Sequence, residues 1–297
     1  MFFLFLRHMV KATQRVSKKI ALAFDFDDTL VPDTYDGLLE SLGLDFKQFR
    51  EEKYEALKAS GWDSIPARFF SLVEISESEE EKDISITRDY LAEFGRNLRP
   101  FDGVEQMFDR LRQRAHSLIP DVELEFYLIT SGFVEIARHT SIAKHFKAMW
   151  GCEFHYKENG EVDRLKRSLT HAEKPRYLYH ISRGVDQSSE QDLLFVYKDV
   201  PHEDLAVPMS HIIYVGDGTS DIPCFAMLNQ EGGTSIGIFK SESPEDWASE
   251  YQPTQSQRVD NLAPADYSED SEMMQSLLLA VEGICKSIQL EKLSKNE

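Results

Sequence analysis

Asp25 and Asp27, separated by Phe26, follow directly on an apolar run, and Asp28 and Thr29 complete a DxDxT spacing. Residues i and i+2 of an extended segment point the same way, so one strand end would present two carboxylates side by side. One can then attack an electrophile while its neighbour moves protons. An acidic strand-to-helix turn capped by Asp28 or Thr29 has the same spacing. A second acidic pair, Asp217 and Asp221, lies in Gly216-Asp217-Gly218-Thr219-Ser220-Asp221, again just past an apolar run. Gly-Asp-Gly alone is also a common turn, and Asp221 alone also a helix cap. Two such pairs in one crevice would resist ionising together unless a hard divalent cation lay among them, and oxygen donors with open positions suit Mg²⁺. Thr130, Ser131 and Gly132 bring hydroxyls and a glycine backbone past a further apolar run. Such donors suit phosphate oxygens, or cap the next helix. Lys174, just before a helical pattern, places an ammonium able to reach back to carboxylates or to stand in water; Lys166 and Lys198 compete for that place.

The elements that must position these groups are short continuous apolar runs at 19–24, 124–129 and 211–215, with a weaker one at 235–239. Runs of this kind are the pattern of parallel strands buried on both faces. Val104, Met107, Phe108 and Leu111 repeat at helical spacing between the first two runs, and Ile222, Phe225, Ala226 and Leu228 do so after the third. The alternation predicts an α/β fold, a doubly wound, Rossmann-like parallel sheet. Residues 33–99 break it with consecutive amphipathic helices, which predicts a helical cap domain inserted into a core of residues 1–32 and 100–297. Residues 153–165 read as an edge hairpin turning at Asn159-Gly160. The acidic charge run 76–83 reads as a solvated loop, residues 185–209 as an irregular acidic insertion, and residues 252–270 as a polar stretch before a final helix at 273–288.

The chain has 297 residues, enough for about two structural units. Its formal charge of −19 repels nucleic acid and anionic membrane, so neither is an expected partner. Cys152, Cys224 and Cys285 show no metal-ligand spacing, which points away from zinc and disulfides and toward a cytoplasmic protein. The apolar opening Met1 to Leu6 is too short to span a bilayer and lacks preceding basic residues; an over-extended start, with Met9 as the alternative first residue, is favoured over a weak organellar presequence. GxGxxG and P-loop patterns are absent, so the metal is the only cofactor expected.

Taken in order, Asp25-Phe26-Asp27-Asp28-Thr29, Thr130-Ser131-Gly132, Lys174 and Gly216-Asp217-Gly218-Thr219-Ser220-Asp221 resemble the four motifs of the haloacid dehalogenase-like (HAD) hydrolase superfamily, over roughly residues 19–240. The likeness is greatest to phosphoserine-phosphatase-like members with a helical cap. It implies Asp25 as the nucleophile that forms an aspartyl phosphate and Asp27 as acid and base. It implies Mg²⁺ on Asp25, the Asp27 carbonyl, Asp217 and Asp221, and phosphoryl oxygens on Thr130, Ser131, Gly132 and Lys174. The implied reaction is hydrolysis of a small phosphorylated metabolite. Dehalogenation is not expected, because dehalogenases of the superfamily do without the carboxylate that Asp27 supplies. A phosphotransferase or phosphomutase would use the same four motifs, and an interaction protein that retains the fold is a further alternative. Thr34 stands where phosphoserine phosphatases carry a substrate-binding glutamate, so phosphoserine itself is not the expected substrate. Cap residues such as Arg50, Lys53, Arg68, Arg88 and Arg96 read as solvated charge, not as site residues.

Overall fold

The computed structural model describes residues 16–78, 84–186, 188, 200–201, 204–239 and 259–295. Met1, Met9, Lys198, part of the 76–83 charge run and most of the 185–209 insertion lie outside the described residues.

β1 (Lys19–Phe24) needs an unbroken apolar run because it is covered on both faces: Ile20, Ala21, Leu22, Ala23 and Phe24 have no exposed surface. Fully burying a side chain such as Ile20, Leu22 or Phe24 stabilises the fold by about 1.5–3 kcal/mol. β1 pairs in parallel with β2 (Glu123–Phe133) on one side and with β5 (Ile212–Gly216) on the other. Beyond β2 come β3 (Ala148–Tyr156) and β4 (Val162–Arg167); beyond β5 come β6 (Thr234–Ile238) and β7 (Asn261–Ala263). The order is β4-β3-β2-β1-β5-β6-β7, parallel except for the antiparallel β3–β4 edge.

The chain winds outward from β1 through β2 to β3 in one direction and from β5 through β6 to β7 in the other. Right-handed crossovers therefore put the connecting helices on opposite faces and leave a crevice at the carboxyl ends of β1 and β5, where the direction reverses. On one face α6 (Val104–Leu118) packs along α10 (Glu272–Lys295), the pair tied at its rim by Arg114 and Glu282 at 2.7 Å. On the other, α8 (Lys174–Ser182) packs against α9 (Ile222–Glu231). Among the described residues no helix is long and apolar enough to cross a membrane.

Between β1 and α6 the chain forms α1 (Thr34–Ser41), α2 (Phe46–Phe49), a π-helical stretch Arg50–Glu55, α3 (Ala56–Ala59), α4 (Ser64–Ser76) and α5 (Arg88–Asn97). Side-chain oxygens cap three of these starts: Asp33 accepts from the Tyr35 and Asp36 amides, Asp45 from Gln48 and Thr87 from Tyr90. Phe69 of α4 lies 4.7 Å from the ring of Phe133 and 4.8 Å from that of Phe154, so the helical segment rests on the ends of β2 and β3. Between β2 and β3 lies the short α7 (Val134–Ala137), directly following β2.

Several boundaries differ from the sequence expectation. β2 does not stop at Ile129 but runs to Phe133, with its register against β3 shifting between those residues. His211 belongs to a 3-10 turn, and β5 starts at Ile212 and ends at Gly216. The strand expected at 235–239 is shifted by one residue, to Thr234–Ile238. The hairpin's first strand begins at Ala148 as a parallel neighbour of β2, and its loop is longer than two residues: Lys157 and Glu161 close it, with Gly160 at φ +87°. The stretch expected to be merely polar holds β7, and the last helix extends over Glu272–Lys295.

Candidate active site

β1 hands over to a tight loop. The Asp25 amide donates to Val215 O at 2.9 Å, and the Leu30 amide returns to Phe26 O at 2.9 Å, with Phe26, Leu30 and Val31 buried beneath. Asp28 turns the loop at φ +54°, a left-handed conformation that Asp tolerates better than most residues. From the far side, the Tyr267 hydroxyl donates to Thr29 O at 3.0 Å and fastens the loop to the segment before α10.

Lys174, the first residue of α8, enters the crevice with no exposed surface. Its Nζ lies 2.8 Å from Asp25 Oδ2, 2.7 Å from Asp221 Oδ1 and 3.1 Å from Ser220 Oγ. Burial opposes the ammonium charge, yet Asp221 and Asp25 outweigh it and hold the group above the ordinary lysine range. Asp221, fully buried, also accepts from the Tyr214 hydroxyl at 2.6 Å and, on Oδ2, from the Gly218 amide at 3.3 Å. β5 must end in glycine there: a Cβ on Gly216 would lie 2.4 Å from Asp221 Cγ.

Asp25 Oδ1 accepts the Phe26 amide at 2.7 Å. Burial pushes its pKa up to about 7 against the pull of Lys174, with Asp221 and Asp217 adding repulsion. Asp25, Asp217 and Asp221 offer oxygens that all lie within 4.8 Å of one another. Three carboxylates balanced by one ammonium leave excess negative charge in an all-oxygen pocket, a donor set that fits a hard divalent cation of the Mg²⁺ type.

Asp27 is oriented differently. Its Oδ1 accepts both the amide (2.8 Å) and the hydroxyl (2.5 Å) of Thr34 at the start of α1. Burial and the Asp33 charge push Asp27 up to about 7, with the Thr34 bonds opposing. Its Oδ2 lies against Gly132, where an added Cβ would fall 2.1 Å away. Gly132 is itself held by its amide's bond to Thr130 Oγ1 at 2.8 Å, and the buried Ser131 Oγ has no hydrogen-bond partner among the described residues. Gly132→Ala should therefore displace the Asp27 carboxyl while sparing the fold. We expect a loss of turnover on the order of 10²-fold, from a displacement of about 1 Å, with little change in thermal unfolding. Steady-state kinetics beside a melting curve check both halves of that expectation.

No protein-family model matches the chain. An uncharacterized protein of Borreliella burgdorferi is 27% identical over 231 residues, covering 71% of this chain and 78% of the relative. Among solved structures, a HAD-family hydrolase from Salmonella enterica subsp. enterica serovar Typhi superposes with TM-score 0.55 at 14% identity, over 89% of this chain and 71% of that one. A phosphoserine phosphatase, solved as a phospho-aspartyl intermediate analogue, superposes with TM-score 0.52 at 16% identity, over 87% of this chain and 97% of that one. The chain has the HAD-like fold. In this fold's crevice the structure brings together Asp25, Lys174, Asp217 and Asp221, with Asp27 and Gly132 in contact beside them. Thr130 joins through Gly132, and Ser131 lies between the two on β2. Lys166, the competing lysine, is on β4 and pairs with Glu153 at 3.4 Å.

Sequence reasoning did not single out Tyr214, noted Thr34 only as a departure from the relatives, and set Arg68 aside as solvated charge. The Arg68 guanidinium lies 5.1 Å from the Tyr35 ring, and its buried Nε has no hydrogen-bond partner among the described residues. Burial opposes its charge, but the fields of Asp33 and Asp27 raise its pKa. A lone Arg on an amphipathic helix carries no local signal that separates this position from solvated charge.

Proposed function

We propose that this HAD-like chain is a Mg²⁺-dependent phosphomonoester hydrolase that acts on a small phosphorylated metabolite through an aspartyl-phosphate intermediate. In this reading residues 33–99 serve as the cap of a core formed by 1–32 and 100–297. The observation that carries it is the Lys174 ammonium held between Asp25 and Asp221 at the reversal point of the sheet. The superposed phosphoserine phosphatase was itself trapped as a phospho-aspartyl analogue, which supports the same reading.

The Asp25 carboxylate attacks phosphorus, the Asp25 O–P bond forms and the ester P–O bond breaks. Asp27 Oδ2 gives its proton to the departing alkoxide. Water then attacks phosphorus, passes a proton to Asp27 Oδ2 and displaces Asp25, releasing inorganic phosphate. Lys174, the Ser131 hydroxyl and the Gly132 region hold the equatorial oxygens and balance their charge. Mg²⁺ bound by Asp25, Asp217, Asp221 and the Asp27 carbonyl would neutralise negative charge on the transferring group.

Phosphate release from a panel of phosphorylated metabolites and one aryl phosphate, with Mg²⁺ and with EDTA, tests the reading. We expect release that EDTA silences and Mg²⁺ restores. Release that is indifferent to EDTA, or absent in every well, overturns it.

A further inference from the structure

The two bonds from Thr34 to Asp27 divide the labour of that carboxyl between its oxygens. Oδ1 receives an amide hydrogen and a hydroxyl hydrogen at 2.8 and 2.5 Å, which occupy it as an acceptor. Oδ2 faces Gly132, at the only one of the three site strands' exits where a missing Cβ makes room for the Asp27 carboxyl among the described glycines. Thr34 is 1% exposed, so water does not compete for its hydroxyl, whereas Asp27 is half-buried.

We propose that Thr34 is a positioning residue for proton transfer: by occupying Oδ1 it places the mobile proton on Oδ2 and aims it at the leaving-group oxygen. The inference rests on the hydrolase reading above and adds to it a residue that acts through Asp27. It also gives α1 a task, since the helix start, capped by Asp33, holds both donors in place. Loss of the hydroxyl leaves the amide bond alone, and the carboxyl gains freedom to turn Oδ2 away or to carry its proton on Oδ1. The step that suffers is protonation of a strongly basic leaving oxygen. A nitrophenolate, a weak base, leaves without that proton.

The test compares Thr34→Val and Thr34→Ser with wild type, using an alkyl phosphate and p-nitrophenyl phosphate in the presence of Mg²⁺. The readout is kcat/KM, which reports the steps up to cleavage of the ester. We expect Thr34→Val to lose about tenfold or more with the alkyl ester and less than about threefold with the aryl ester, and Thr34→Ser to restore the alkyl rate. A merely structural role would lower both rates together and would follow the melting temperature. Equal losses on the two esters, no loss on either, or failure of Thr34→Ser to rescue overturns the inference while an active wild type leaves the hydrolase reading standing. A wild type inactive on both esters overturns that reading and this inference with it.

Discussion

Asp25→Asn is expected to remove phosphate release to background, a loss of about 10³-fold or more, because an amide oxygen cannot take the phosphoryl group as a carboxylate does. The same variant should fold as well as wild type, and without metal it should be no less stable. The buried Asp25 carboxyl is pushed up to about 7, so its ionised form opposes folding at neutral pH. The sign follows from the direction: a raised folded-state pKa gives stability that is full below the unfolded value and is lost as pH rises toward about 7. An asparagine keeps one oxygen for the Phe26 amide and turns its NH2 toward Lys174, which retains Asp221 and Ser220 as acceptors, while one of the three clustered negative charges is removed. Denaturant unfolding in EDTA at pH 5 and pH 8, beside the activity assay, reads both effects. Retained turnover would rule out Asp25 as the nucleophile. A variant that unfolds more readily than wild type at pH 8 would mean that the ionised carboxylate supports the fold, against the direction of its raised pKa.

The part of the site that was legible in sequence is the part built on fully buried strands. β1 and β5 are covered on both faces, so their apolar runs are continuous and the first polar residues after them, Asp25 and Asp217, mark the crevice. Lys174 was not legible from its local sequence, where a solvated lysine reads equally well; it was picked out by the resemblance of its setting to the third motif. β7 was not legible either, since three residues beginning with Asn261 carry no run to detect. The end of β2 was hidden for another reason: Thr130-Ser131-Gly132 has turn composition, and only the shifted pairing with β3 keeps it in the sheet. Asn159-Gly160 suggested the shortest hairpin, but the left-handed residue is Gly160 alone, and the loop closes from Lys157 to Glu161. Thr34 reads locally as an ordinary first-turn residue. Its partner is seven residues upstream, and contact depends on the loop that the Phe26 carbonyl closes, which no helical or strand period encodes. Tyr214 meets Asp221, and Arg68 enters the field of Asp33 and Asp27, in the same way, by tertiary approach.

Lys174→Met should be the most damaging of these substitutions for stability and should also remove most of the activity. The ammonium lies within 2.8 Å of Asp25 and 2.7 Å of Asp221, and none of its surface is exposed. Methionine fills a similar volume but leaves two buried carboxylates facing each other without a cation. Breaking a buried ion pair from one side costs about 3–5 kcal/mol, and more of that cost should appear here because two partners are stranded. Adding Mg²⁺ replaces part of the lost positive charge, so the metal should raise the melting temperature of Lys174→Met by more than it raises that of wild type. Activity should not recover with it. In the proposed reaction the ammonium would also donate hydrogen bonds toward the transferring oxygens, a contribution that a bound metal does not replace. Replacing Asp221 by Asn in the same chain should return part of the stability, with a coupling of about 0.5–3 kcal/mol between the two positions. Additive losses would show that Lys174 and Asp221 do not act as a pair. A Lys174→Met protein with normal turnover would take the charge-balancing role away from the ammonium and leave the phosphoryl oxygens to Ser131, the Gly132 backbone and the metal.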